Sequence, residues 1–297
     1  MPEDIRDRAT ITHDDVLGLN FIKQAVPYYF RRHYRQGLRS HIMEIVDPAD
    51  MELEQKGTII EGIRWFPKAI PLKMLRIFRS RFKALTHVQE ETKRVKLVES
   101  YLAPAYLARS SEIVVDYKSP DGRDILLCGL QEYVEGEIID PWSILGNDSL
   151  LGEVYDSRIK DDESLVTSRD QWIRRARNQA ANFIEKIKQM IMEAHHIPDL
   201  AGVGNLLIQR SGLIKLVDIN NISPVAFDAE IRLDDKGYPV CDKSIEALAL
   251  LEQKIVGGTT DKKEPVYRTF LDPQRRRDVK ALEEIFHRRK LNGQEAS

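Results

Sequence analysis

Apolar residues recur at helical spacing in two long stretches of this chain and gather in short runs elsewhere. From Ser168 to Ala194, Trp172, Ala176, Ala180, Phe183, Ile187 and Met190 share one side of a 3.6-residue repeat, which predicts a long amphipathic helix. Residues 86–102 predict a second. Thr86 can cap it, Glu90 and Glu91 occupy its early turns, and Val88, Val95 and Val98 follow at helical offsets. Residues 242–256 and 272–290 read as further helices, and residues 14–35 as a helical lead-in broken at Pro27. Strands are predicted over 40–47 and 57–66. Residues 112–118 and 124–133 predict an antiparallel pair around the turn Ser119-Pro120-Asp121-Gly122. The stretch 71–83 reads as a basic amphipathic segment.

The order of these elements is an α+β chain, β-rich first and helical afterwards. It predicts a lead-in over 1–39, a small β-rich lobe over 40–134 with one helix, and a larger helical lobe over 135–297.

Composition narrows the classes. The 297 residues are 42% apolar and 31% charged, with a net charge of −2, so no global field draws the chain to nucleic acid or to a membrane. Cys128 and Cys241 lie far apart, which argues for a reducing compartment and a cytoplasmic protein without a disulfide framework. The charged N-terminus lacks the apolar core of a signal peptide, and no run is long enough to span a membrane. The basic stretches Arg76–Lys83, Phe30–Arg35 and Arg275–Arg277 read as solvated faces, or as grips for an anionic partner.

Residues 195–225 hold the candidate chemistry. Asp199 and Asn205 lie in a loop marked by Pro198, Gly202 and Gly204. The apolar runs Leu206–Ile208 and Leu213–Val217 flank a turn at Gln209–Gly212, and Asp218 closes the second run. A hairpin there brings Asn205 and Asp218 to the same end of the ribbon. Two such oxygen ligands suit Mg²⁺, and Asp199 beside them is placed to orient a hydroxyl or accept its proton. Asp and Asn also serve as plain turn residues, and His195-His196, being adjacent, diverge in direction and read as structural.

This segment resembles the catalytic loop and metal-binding hairpin of the protein-kinase-like superfamily, which includes the aminoglycoside and choline phosphotransferases. His196, Asp199 and Asn205 resemble its H-x-D-x-x-x-x-N loop, and Asp218-Ile219-Asn220 resembles D-F-G. The spacings from His196 to Asp199 and from Asp199 to Asn205 are each one residue longer than in that pattern, and Ile219-Asn220 replaces Phe-Gly. The resemblance covers roughly 40–256 and implies a two-lobed kinase-like fold that uses ATP and Mg²⁺. Asp199 would be the catalytic base that orients the acceptor hydroxyl, with Asn205 and Asp218 as metal ligands. Gln131, Glu132, Tyr133 and Val134 would be the hinge that meets adenine. Either Arg64 or Lys68 would be the phosphate cation, paired with Glu91. The expected acceptor is a small molecule bearing a hydroxyl. A pseudokinase that binds nucleotide or scaffolds a partner, and a kinase-fold AMP transferase, are the alternatives.

Overall fold

The aromatic run Tyr28-Tyr29-Phe30 follows Pro27 and goes extended rather than helical, as ring-bearing side chains favour a pleated surface. The computed structural model describes residues 3–22, 27–37, 39–143, 147–159, 168–258, 261 and 263–294. In place of the lead-in helix expected over 14–35 there is one short helix, α1 (His13–Leu17), closed by a capping box between Thr12 and Asp15, and then a strand, β1 (Tyr29–Arg32). Residues 23–26 of that lead-in lie outside the described residues.

The chain divides into two units, Met1–Lys93 with Ala108–Tyr133, and Arg94–Leu107 with Val134–Ser297. Residues expected as a separate lead-in thus belong with the sheet. In the first unit β1 is followed by β2 (Ser40–Val46), α2 (Pro48–Lys56), the hairpin β3 (Thr58–Ile60) and β4 (Ile63–Trp65), then β5 (Lys73–Phe78), α3 (Leu85–Leu102), β6 (Ser110–Ser119) and β7 (Gly122–Glu132). Five strands make one antiparallel sheet in the order β1-β2-β5-β7-β6, while β3 and β4 form a sheet of their own.

The segment expected to be basic and amphipathic is the central strand of the sheet. Met74 to Phe78 are all buried, Arg76 among them. A strand covered on both faces loses alternation, and arginines three apart imitate a helical repeat. Leu75 and Ile77 face the side covered by Ile5, Ile11, Val16 and Leu19, whereas Phe78 packs with Leu127 and with Val88 of α3. Arg76 lies beside Gly129, its cross-strand partner, where an added Cβ would sit 3.1–3.2 Å from the guanidinium nitrogens. That gap lets Arg76 reach Ser110 Oγ at 3.0 Å and Glu112 at 3.7 Å.

The N-terminal segment is fastened by charge. Arg6, only 1% exposed, donates to both Asp4 oxygens at 3.0 and 2.8 Å and pairs with Asp124 at 2.6 Å. Arg81 pairs with Asp4 and Asp7, and Arg79 donates to the Arg6 and Ala9 carbonyls.

The second unit continues with β8 (Glu137–Ile138), α4 (Asn147–Val154), α5 (Arg169–Ala194), β9 (His196–Pro198), β10 (Leu206–Ile208), β11 (Ile214–Leu216), β12 (Ile222–Pro224), α6 (Val240–Leu251), α7 (Pro265–Phe270) and α8 (Pro273–Gln294). Short π-helical turns extend α4 and α6. A capping box between Ser168 and Gln171 starts α5, and His195 in the left-handed region, φ 53°, ends it. Its apolar face buries Trp172, Phe183 and Ile187 in a core shared with Val95, Val98 and Leu102 of α3. Among the described residues no helix is long and apolar enough to cross a membrane.

Replacing Arg6 with Met leaves Asp4 buried without its main partner. Urea unfolding is expected to show a loss of about 3–5 kcal/mol. Asp4 and Asp124 are both held below the ordinary aspartate value of 3.8: burial opposes this, but hydrogen bonds and charge from Arg6 outweigh it. The stabilisation is therefore full at neutral pH and is lost as the pH falls through and below that value. Unfolding curves that match between the Arg6→Met variant and the parent would remove the clasp from the fold's energetics.

Candidate functional site

Two short ribbons in the second unit build the site. In the first, β9 pairs antiparallel with β12, Pro198 opposite Ile222, so that Asp199 at the end of β9 donates its backbone N–H to Asn221 at 2.9 Å. In the second, β10 pairs with β11, and Val217 donates its N–H to the Asn205 carbonyl at 2.8 Å. The β9–β12 ribbon therefore ends at Asp199 and Asn221, the β10–β11 ribbon ends at Asn205 and Val217, and Asp218 comes next in the chain.

The loop between them is shaped by its own side chains. Asp199 Oδ1 accepts the backbone N–H groups of Ala201 and Gly202 at 2.9 and 3.1 Å, and Asn205 Nδ2 donates back to the Asp199 carbonyl at 2.9 Å. The loop closes so tightly that a Cβ on Gly202 would lie 2.5–2.9 Å from the Asn205 carboxamide, and Gly204 takes φ +90°. The rest of the unit clamps it. Trp142 Nε1 donates to the Ala201 carbonyl at 2.9 Å, and the Leu200 N–H reaches Ser244 Oγ at 3.2 Å. The hairpin is seated on α5, with Trp172 Nε1 donating to the Arg210 carbonyl at 2.7 Å and Gly212, φ +82°, lying against the Ala176 backbone.

The electrostatics are unusual for a turn. Asp199 is pushed up to about 6, first by burial and next by the charge of Asp218, although backbone N–H groups and Asn221 oppose the shift. Among the described residues neither acid forms an ion pair. The nearby buried cations are committed elsewhere. Lys215 of β11 donates to the Pro104 and Leu107 carbonyls, and Lys243 pairs with Glu246 and Glu283 and lies 4.1 Å from the Trp142 ring centroid. Tyr238 donates to Glu283, and burial, Glu283 and Asp199 all keep its phenol protonated.

Asp199, Asp218 and the carboxamides of Asn205 and Asn221 thus lie in one oxygen-rich cluster. Asn220 donates its N–H to Asp218 Oδ1 at 3.0 Å, which fixes that carboxylate in an Asx turn. Among the described residues no group of three His, Cys, Asp or Glu side chains could hold a metal. The cluster instead pairs carboxylates with amide oxygens, a donor set suited to a hard cation that keeps some of its water. His196 turns its Nδ1 to the Ala194 carbonyl at 2.7 Å, a structural role.

The other expected residues fall as follows. Arg64 lies on the separate hairpin, exposed, with its guanidinium on the Lys56 carbonyl at 3.2 Å, and Lys68 is exposed in the loop beyond. Glu91 is half-buried on α3, and among the described residues neither Arg64 nor Lys68 forms an ion pair with it. The strand that precedes α3 is β5, and its buried cation is Arg76, which the sequence places at the start of a basic stretch that reads as a solvated face or an anionic grip. Gln131 is buried with its amide 3.5 Å from the Ala108 carbonyl, Glu132 pairs with Arg109 at 3.2 Å, Tyr133 is half-buried and Val134 is buried. No family model matches the chain, and no curated protein matches it.

In metal-free buffer, Asp199→Asn is expected to raise stability at pH 7 by about 1–3 kcal/mol. The folded value lies above the ordinary 3.8, so the fold favours the protonated acid. Its stability contribution is full below 3.8 and is lost as the pH rises through about 6. The advantage of the variant should therefore vanish in acid. Thermal unfolding across this range checks it, and a variant less stable than the parent at pH 7 would contradict the crowding of the two acids.

Proposed function

We propose that this protein is an ATP- and Mg²⁺-dependent phosphotransferase of the protein-kinase-like type, acting on a hydroxyl of a small molecule. The observation that carries the reading is the convergence of Asp199, Asn205 and Asp218 on one cluster through two short ribbons, with two like charges side by side and no ion pair to either among the described residues. The fold is compatible with it. An antiparallel sheet with α3 inserted before its last two strands, and a mainly helical unit carrying the ribbons, is the order of parts that a kinase-like plan requires.

In this reading Asp218 and Asn205 hold Mg²⁺, which would neutralise charge on the nucleotide phosphates. Asp199 orients the acceptor hydroxyl and takes its proton as the oxygen bonds to the γ-phosphorus and the bond to ADP breaks. An acid pushed up to about 6 is mostly ionised at neutral pH yet basic enough to accept that proton. Gln131 to Val134 would meet the adenine. For the phosphate cation Arg76 is the stronger candidate, because it sits on the strand leading into α3, and Arg64 and Lys68 do not. Between Asp218 and α6 the chain holds only Ser223 and Tyr238 as hydroxyl residues, which favours a small acceptor over a regulated protein kinase.

One observation favours the pseudokinase reading. Arg76 is buried and engaged with Ser110 and Glu112, so in this conformation its charge serves the sheet.

Calorimetry with ATP, with and without Mg²⁺, separates these readings from a non-nucleotide protein. Asp218→Asn is expected to abolish Mg²⁺-dependent nucleotide binding while the circular dichroism stays native. Arg64→Ala and Lys68→Ala should leave it intact. Asp199→Asn is expected to lower turnover by about 10²–10⁴-fold with little effect on ATP affinity. The mass of the modified acceptor tells phosphate from AMP. Nucleotide binding without turnover would select the pseudokinase, and unchanged Mg²⁺-ATP affinity in folded Asp218→Asn would remove Asp218 from the site.

A further inference from the structure

The hairpin β3–β4 stands outside the main sheet, and one of its faces is almost wholly apolar. The cross-strand pairs Thr58–Trp65 and Ile60–Ile63 share that face, and Ile63 and Trp65 are 59% and 54% exposed. Glu61 and Gly62, with φ of 51° and 82°, make the tight turn that holds the two strands in register. The following chain keeps Phe66, Ile70 and Leu72 exposed as well. A lone two-stranded ribbon is marginal in water, and a contiguous exposed apolar patch of this kind marks an interaction surface.

Charge identifies the surface it fits. From Lys56 to Lys73 the chain has four cations, Lys56, Arg64, Lys68 and Lys73, against one acid, Glu61, although the whole protein carries −2. All four are exposed. Lys56 is paired with Glu52, whereas Arg64 rests on a neutral carbonyl and keeps its charge. Interfaces between proteins are poor in lysine. Aromatic and aliphatic side chains flanked by exposed lysine and arginine are instead the make-up of a segment that lies in the boundary of an anionic bilayer. There the rings enter the headgroup layer, and the long cationic side chains reach lipid phosphates.

We propose that the β3–β4 hairpin docks this protein peripherally on an anionic lipid surface. The inference rests on the first unit alone and is independent of the phosphotransfer reading.

Sedimentation of the full chain with vesicles tests it. Binding is expected to phosphatidylcholine mixed with phosphatidylserine and not to phosphatidylcholine alone. Ile60→Ser with Ile63→Ser should weaken partitioning by about tenfold or more, since two exposed apolar side chains supply much of the insertion. Arg64→Glu with Lys68→Glu should abolish the preference for the anionic vesicles. Brominated lipid should quench tryptophan emission in the parent and lose that effect in Trp65→Phe, which still binds. Circular dichroism confirms that each variant is folded. A parent that stays in the supernatant with both vesicle types overturns the proposal, as does a double-serine variant that binds like the parent. Self-association lost in the double-serine variant, without vesicle binding, would assign the face to a second copy of the chain.

Discussion

Two carboxylates set close together, with no ion pair to either among the described residues, repel each other, and the second unit braces them. Asp199 and Asp218 repel, and burial around Asp199 sharpens the repulsion. What offsets it is mechanical and local. Backbone N–H groups cap Asp199, an Asx turn fixes Asp218, and the loop is clamped by Trp142, by Ser244 and by the pairing of β9 with β12. Behind these stands the long helix α5, on which the β10–β11 turn rests through Trp172 and Gly212. Each of these contacts is made by the chain itself, so the loop's geometry is fixed by its own hydrogen bonds and packing.

The basic stretches show how differently charge is used elsewhere. Arg31 is shared between Glu44 and Glu54, Arg79 and Arg81 fasten the N-terminal segment, and Arg275 is buried against Asp242. Much of what reads in sequence as basic surface is therefore internal bracing. The β3–β4 segment is different because Arg64 and Lys68 form no ion pair among the described residues.

Much of this could be read from the chain. The Ser168 cap and the periodicity behind it mark α5, the Ser119–Gly122 turn marks β6 and β7, and the two apolar runs about the Gln209–Gly212 turn mark the β10–β11 hairpin. These are local signals, set by neighbours a few residues away. What escaped was decided at long range. Whether 73–78 is a helix or a strand depends on β2 and β7 lying on either side, and β1 forms because β2 offers it an edge. Arg76 was missed for the same reason: a buried guanidinium requires an acid and a hydroxyl more than thirty residues away in sequence. Asn221 was passed over although it adjoins the Asp218 motif, since its role depends on which strand pairs with β9.

The row Arg76–Gly129 across β5 and β7 has a consequence for how this sequence can drift. The guanidinium fills the space that a side chain at position 129 would occupy. Neither position is free to change alone: enlarging residue 129 displaces the arginine from Ser110 and Glu112, and shrinking residue 76 leaves a void and an acid to satisfy. Related chains that differ here should therefore differ at 76, 112 and 129 together, a three-position covariation that an alignment would show as a linked exchange of cation, acid and glycine for apolar residues of matching total volume.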